Sequence, residues 1–290
     1  MMRTVDYDSL ANRYEAMNSP LYRYLAEETV RSVRRRVPAG IADILDLCCG
    51  TGILTFALAR EYPNSAIVAV DASKNMLDAA SSKATPADRI RFVRDDANTL
   101  AAAAGPYDLI ACNYGLQWLS PSVVDTLRAR LREGGYIAAA LPSHGEPHRS
   151  DAGAATRAGN KLLDCVCRVA PAYEAELERG IVKPVIDLWR RFRTVKQWIE
   201  RFEQHGIHVV EQRTLTRVFS YASPEELLHS AISRGVFGNC LDGLPDDFYR
   251  DVAEELAALY RKYGNLEEEN VSTFLVLRYS GTTCGDESDV

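Results

Sequence analysis

The sequence predicts an α/β protein built on a doubly wound, Rossmann-like sheet. The sheet is expected to be mostly parallel with its last strand antiparallel, under a helical cap formed by insertions. Three observations carry this prediction. Residues 41–142 alternate short β-type runs with helical stretches. The strand runs are nearly continuous in Ile, Val, Leu and Ala, the signature of strands buried on both faces. Acidic or amide residues recur where those strands end, beside one glycine-bearing turn.

The chain has 290 residues, 47 % hydrophobic and 26 % charged, an ordinary soluble composition long enough for a sizeable core. Residues 1–37 read as a helical arm rich in tyrosine (Tyr7, Tyr14, Tyr22, Tyr24), ended by Pro38 and Gly40. Its basic run "RSVRRRV" reads as a solvated helix face. The core then runs 38–142. "IADILDL" is a strand and "GILTFALAREY" a helix; "AIVAVDA" is a strand and "SKNMLDAASSKA" a helix. "IRFVRDDA" and "YDLIACNYG" are strands, "SVVDTLRARLREG" a helix, and "YIAAALP" a strand. Residues 143–195 and 222–264 are helical and form the expected cap; "SPEELLHSAISRG" and "DDFYRDVAEELAALYRKYG" open on Ser and Asp caps. Residues 196–221 and 265–281 return to the sheet, and 282–290 is a polar, acidic tail expected to be disordered.

Composition also excludes. A formal charge of −6 argues against a nucleic-acid partner. Seven irregularly spaced cysteines make neither a disulfide framework nor a zinc set, so no metal is expected. No leader pattern opens the chain and no apolar run approaches the ~18 residues a membrane span needs, so the expectation is a cytoplasmic protein that does not contact membranes. A homo-oligomer is left open.

In an open parallel sheet, ligands bind outside the carboxyl ends of the strands. Asp46, Asp71, Asp96 and Asn113 fall at such ends. In "ILDLCCGTGILTFALA", Asp46 leads into Cys48, Cys49, Gly50 and Gly52; a nucleotide-type loop, a metal or redox site and a tight turn that merely packs well are the three readings. The third glycine of a dinucleotide fingerprint is replaced by Thr55, and no P-loop is present. A leading carboxylate suits a cation better than a pyrophosphate. Asp71, with Ala72 beside it, is placed to hold both ribose hydroxyls of a nucleoside. Met76, a turn further on, is apolar enough to flank an adenine. The implied ligand is an adenosine without phosphates and with positive charge, which fits S-adenosylmethionine. The adjacent thiols read as small residues in a crowded turn.

"ILDLCCGTG", "VAVDASKNML", "FVRDDANTL", "YDLIACNYGLQWL" and "LREGGYIAAALP" together resemble the class I S-adenosylmethionine-dependent methyltransferases over about residues 40–142. The resemblance leans towards members that methylate quinone precursors, trans-aconitate or malonyl carriers. It implies that Asp46 and the backbone of Gly50 hold the methionine moiety and that Asp71 grips the ribose. Asp96 then accepts from the adenine amino group, the Ala97 backbone reads the ring, and the Asn113 carbonyl meets the methionine amine. Leu116 and Trp118 begin the wall between cofactor and substrate, and Tyr7 and Tyr14 close over the cofactor. Cys48 stands where the commonest pattern has its first glycine.

The expected reaction is methyl transfer to a small, partly apolar acceptor at oxygen or carbon, by in-line displacement. His144 and His148, after the fifth strand, are the candidate bases. The competing readings are a fold member that keeps the cofactor as a cyclase or regulator, and an RNA or protein methyltransferase.

Overall fold

The computed structural model describes residues 20–85, 88–143, 165–166, 168–173, 194–233, 245–264 and 266–281. Its centre is a seven-stranded sheet of β1 (Asp43–Leu47), β2 (Ala66–Asp71), β3 (Ile90–Arg94), β4 (Tyr107–Asn113), β5 (Leu131–Pro142), β6 (Ile207–Ser220) and β7 (Glu267–Tyr279), in the order β3-β2-β1-β4-β5-β7-β6. The pairs β1–β2, β1–β4, β2–β3 and β4–β5 are parallel, while β7 runs antiparallel to β5 and β6. The strand order reverses between β1 and β4, so their carboxyl ends open the crevice where such sheets bind ligands. Register lines these ends up: Asp46 pairs with Ala69 and Ala111, Asp71 with Arg94, and Asn113 with Ala140.

Helices α1 (Pro20–Arg36) and α2 (Ile53–Glu61) cover one face, burying Val33, Leu54 and Leu58 against Ile44, Ile67, Leu109 and Val276. The other face packs Leu47, Val70 and Ile110 against α4 (Val123–Arg130) and α5 (Val195–Glu203), through Val124, Leu127, Trp198 and Phe202. Helix α3 (Lys74–Ser81) flanks β2 and β3, burying Leu77 beside Ala69. Between β6 and β7 lie α6 (Pro224–Ser233) and α7 (Asp246–Tyr263). Leu227, Leu228, Phe248, Val252 and Leu256 form a second apolar cluster there with Cys165 and Val166.

Three local expectations are corrected. The helix read over "SVVDTLRARLREG" stops at Arg130, and Leu131 already pairs with Tyr107. The next matched pair is Leu109 with Tyr136, so the Glu-Gly-Gly segment is an irregular start to β5, with Gly134 at φ 77°. The cap of α7 is Pro245, with no side-chain bond, so Asp246 is the first helical residue and not the cap; Ser223 does cap α6, accepting from the Glu226 N–H at 3.2 Å.

The basic run of α1 is also more than a solvated face. Arg35 and Arg36 converge on Glu211 of β6 (2.5 and 2.9 Å), Arg34 pairs with Glu61, and Glu28 takes both Arg31 and, at 2.8 Å, Arg213. Glu28 and Glu211 are buried, and the Arg35 guanidinium, helped by Arg36, holds the Glu211 carboxyl down at about 2. These pairs fasten α1 to the far edge of the sheet.

Candidate functional site at the carboxyl edge of the sheet

After β1 the chain must turn at once into α2. Cys48, Gly50 and Gly52 all have positive φ (55°, 54° and 82°). Gly52 is the position where glycine is required twice over, because a Cβ there would also stand 2.9 Å from the Phe56 ring. Cys48 tolerates the same region only because the surrounding contacts hold it, and such backbone strain concentrates at functional sites.

Asp46, the penultimate residue of β1, is 1 % exposed and accepts a hydrogen bond from the Thr55 hydroxyl of α2. Burial pushes its carboxyl up to about 7; the Thr55 bonds oppose the shift and the Asp71 charge adds to it. A group so poised gains most from a cation, which would draw it back to the ionised form. Asp71 clamps two loops together. One oxygen accepts from the Gly50 N–H at 2.8 Å and the other from the Ser73 N–H at 2.9 Å. The cap of α3 is Ser73, which accepts from the Met76 N–H at 3.1 Å, so Asp71 is not spent on capping.

At the end of β3 two neighbouring acids divide the work. Asp95 braces its loop by accepting from the Ala102 and Ala103 N–H groups. Asp96 is exposed, and its side chain accepts from the backbone and side-chain N–H groups of Asn98, two residues on. Met76 and Ala97 are buried and Ala72 is exposed. Leu116 lies fully inside the core cluster behind the crevice, and Trp118 is half-buried in the same short 3-10 turn. Tyr7, Tyr14, His144 and His148 lie outside the described residues, as do most of residues 143–195.

A cavity open to solvent sits in the crevice; Tyr22, Asp46, Cys48, Gly50, Thr51 and Asn113 are among its lining residues. Two of these residues carry a buried polar atom with no partner among the described residues, the Thr51 hydroxyl and the Asn113 side-chain N–H₂. Buried polar groups left unpaired by the protein mark a place for a ligand or water.

Sequence reasoning missed several contributors. Thr29 and Tyr22 come from α1; Thr29 donates to the Asn113 side-chain carbonyl at 2.7 Å. Tyr114, at φ 50°, sets its ring edge-on to Tyr22 and its hydroxyl 2.6 Å from Ser272. Gly115 admits the Cys48 and Cys112 sulfurs: a Cβ there would stand 2.6 Å from Cys112 Sγ and 2.7 Å from Cys48 Cβ. The hydrogen bond to Cys112 and burial push the Cys48 thiol well above its ordinary range, and burial does the same for Cys49. Thiols held protonated in this way are poor nucleophiles and poor metal ligands. Among the described residues no group of three His, Cys, Asp or Glu side chains converges to hold a metal, and no helix is long and apolar enough to cross a membrane.

Residues 44–135, which span this edge from β1 to the start of β5, match the model of a methyltransferase domain. The chain is 27 % identical to a malonyl-[acyl-carrier protein] O-methyltransferase from Paenibacillus, over 94 % of its own length and 95 % of that protein. It is 35 % identical to a trans-aconitate 2-methyltransferase from Deinococcus radiodurans, over 48 % of its length and about half (47 %) of that protein. In fold it is similar to the YcgJ protein of Bacillus subtilis, with a TM-score of 0.55 at 14 % identity, covering 88 % of this chain and 99 % of that one.

Proposed function

We infer that this chain, which belongs to the class I S-adenosylmethionine-dependent methyltransferases, methylates an oxygen of a small, partly apolar acceptor. The observation that carries the reading is the cavity at the strand-order reversal, lined by Asp46, Gly50, Thr51 and Asn113, with the Asp71 carboxylate tied to the Gly50 turn beside it. These residues fit the cofactor. Asp71 would hold the ribose hydroxyls, Asp96 the adenine amino group, Met76 and Ala97 the ring, and Asp46 would face the positive charge of the methionine end. When bound, S-adenosylmethionine supplies a methyl group already activated by its sulfonium charge.

What remains for the protein is positioning and the exclusion of water. The turn after β1 and the pair of Tyr22 from α1 with Tyr114, the residue after β4, supply fixed walls. We place α6 and α7 in a cap over the acceptor. Oxygen is favoured because the relative aligned over nearly the whole chain is an O-methyltransferase by name. A carboxylate acceptor is ionised at neutral pH and needs no base.

Turnover of methyl-labelled cofactor against a panel of small carboxylic acids and acyl thioesters tests the reading. The expected product is a base-labile methyl ester. Label in a base-stable carbon product would replace oxygen by carbon. Bound cofactor with no label leaving it to any acceptor would favour a regulator or a cyclase.

A further inference from the structure

One arginine on the α1 side of the sheet stands apart from the rest. Arg31, Arg34, Arg35, Arg36 and Arg213 each meet a carboxylate. Arg217 of β6 meets none among the described residues. It is exposed, and its guanidinium lies over the Tyr24 ring of α1, 5.7 Å from the centroid. Stacking engages the face of a guanidinium and leaves its in-plane N–H donors free, in the fork that fits a carboxylate.

Register places this cation on the far side of the sheet from the nucleoside acids. Asn113, which lines the cavity, shares a row with Ala140, Phe274 and Arg213. Strands β6 and β7 run on past that row, so that Leu215 faces Ser272 and Arg217 faces Asn270. Opposed residues of an antiparallel pair share a face of the sheet. The Asn270 side chain is tied back towards the cavity, with its Nδ2 3.2 Å from the Tyr114 hydroxyl and its Oδ1 2.5 Å from the Ser272 hydroxyl. Tyr114 directly follows Asn113 and meets the ring of Tyr22, which also lines the cavity. It holds this place at φ 50°, a backbone region that strains a bulky residue. Two hydroxyls, an amide and a cation thus lead away from the cavity, next to the apolar surfaces of Tyr24, Leu215 and Phe219. Three strand spacings separate β4 from β6, so the cation stands roughly 14 Å across the sheet from the cavity.

We propose that the Arg217 guanidinium, with the Asn270 amide beside it, anchors an anionic end of the acceptor, a carboxylate set apart from the oxygen that receives the methyl group. The inference rests on the acceptor reading above and adds to it a substrate class, an elongated acid with an apolar stem.

The test is calorimetry on the full chain saturated with S-adenosylhomocysteine, with octanoate and its neutral counterpart octanamide as probes. Wild type is expected to bind octanoate on the order of tenfold more tightly than octanamide, the effect of one charge-assisted contact. Arg217→Gln should shrink that preference to about twofold or less. Arg217→Lys keeps the charge without the fork and should recover part of it. Asn270→Asp places a like charge beside the anchor, while the Tyr114 and Ser272 hydroxyls can still donate to the new carboxylate; it should erase the preference as well. Wild type that binds the two probes equally, or binds neither, overturns the proposal. So does a preference that survives Arg217→Gln, and so does a loss of S-adenosylhomocysteine and both probes together in that variant, which would make Arg217 a structural residue. If Arg217→Gln fails to fold, Asn270→Asp decides the matter with the same probes. Octanedioate, anchored by one carboxylate, should accept the methyl group on the other. An anchor that passes these tests while no carboxylate is esterified stands by itself, and only the oxygen reading falls.

Discussion

The two halves of the candidate site are built differently. The β1–β2 half is local. Asp46, Gly50 and Asp71 sit within 26 residues of one another, and the Asp71 carboxylate ties the two turns with hydrogen bonds of 2.8 and 2.9 Å. The α1–β4–β7 half is assembled over distance. Thr29 reaches Asn113, Tyr114 reaches Ser272, and Glu28 and Glu211 anchor α1 through arginines up to 185 residues away. The first half is a cradle that a short motif can specify, while the second exists only once the sheet has formed. The contrast suggests a division of labour: the local half presents the two carboxylates that would meet the cofactor, Asp46 and Asp71, and the long-range half closes the crevice from α1 and holds Asn113.

The sharpest way to break that division is to remove the clamp of the local half. Asp71→Ala removes the carboxylate proposed to hold the ribose and unties both loops. Two charge-assisted hydrogen bonds imply a loss of about 100-fold or more in S-adenosylhomocysteine affinity, read by calorimetry. Near-normal affinity would sink the ribose assignment. At the seam between the halves, Gly115→Ala drives a methyl group to 2.6 Å from Cys112 Sγ and 2.7 Å from Cys48 Cβ. Overpacking of this kind costs about 1–3 kcal/mol, visible in urea unfolding, and a neutral result would mean that the seam yields easily.

In the long-range half, Glu211→Gln leaves Arg35 and Arg36 without their shared partner. Because the arginines are 40 % and 50 % exposed, solvent screening limits the loss to about 1–2 kcal/mol. The Glu211 carboxyl is depressed to about 2 from an ordinary 4.5, so its stabilisation is complete above pH 4.5 and disappears as pH falls towards 2. Glu211→Gln should therefore flatten the acid limb of the stability profile, and an unchanged acid limb would remove Glu211 from the anchoring of α1.

The last effect concerns Asp46 and is graded by pH. Its folded pKa of about 7 lies above the ordinary 3.8, so the protonated side chain favours the ligand-free fold. That contribution is full below pH 4 and is lost as pH rises through 7. Binding of a cationic ligand needs the ionised form, so affinity should fall up to about tenfold per pH unit below 7. Asp46→Asn should abolish that slope, and a slope that survives the substitution would place the titrating group elsewhere.

How much was legible in the sequence follows the same divide. Strand alternation and the acid or amide at the strand ends could be read because each is encoded within a few residues; the antiparallel direction of β7 is set by pairing with β5, far away in the chain, and came only with the family resemblance. The edges of elements were less legible. Nothing in "RARLREGGYI" announces that Leu131 leaves the helix to pair with Tyr107, since arginine, leucine and glutamate all favour helices. The basic run of α1 looked solvated because its carboxylate partner, Glu211, lies 175 residues from Arg36. Thr29 and Gly115 left one faint signal each: a polar residue on the apolar stripe of a helix, and a glycine directly after a strand-end Asn-Tyr pair.

The most direct test of the whole account is a crystal structure with S-adenosylhomocysteine bound. The account predicts the ribose hydroxyls on Asp71, the adenine amino group at Asp96, and the amino-acid end between Asp46, the Gly50 backbone and Asn113. A nucleoside seated anywhere else on the sheet, or an amino-acid end turned away from Asn113, would contradict it.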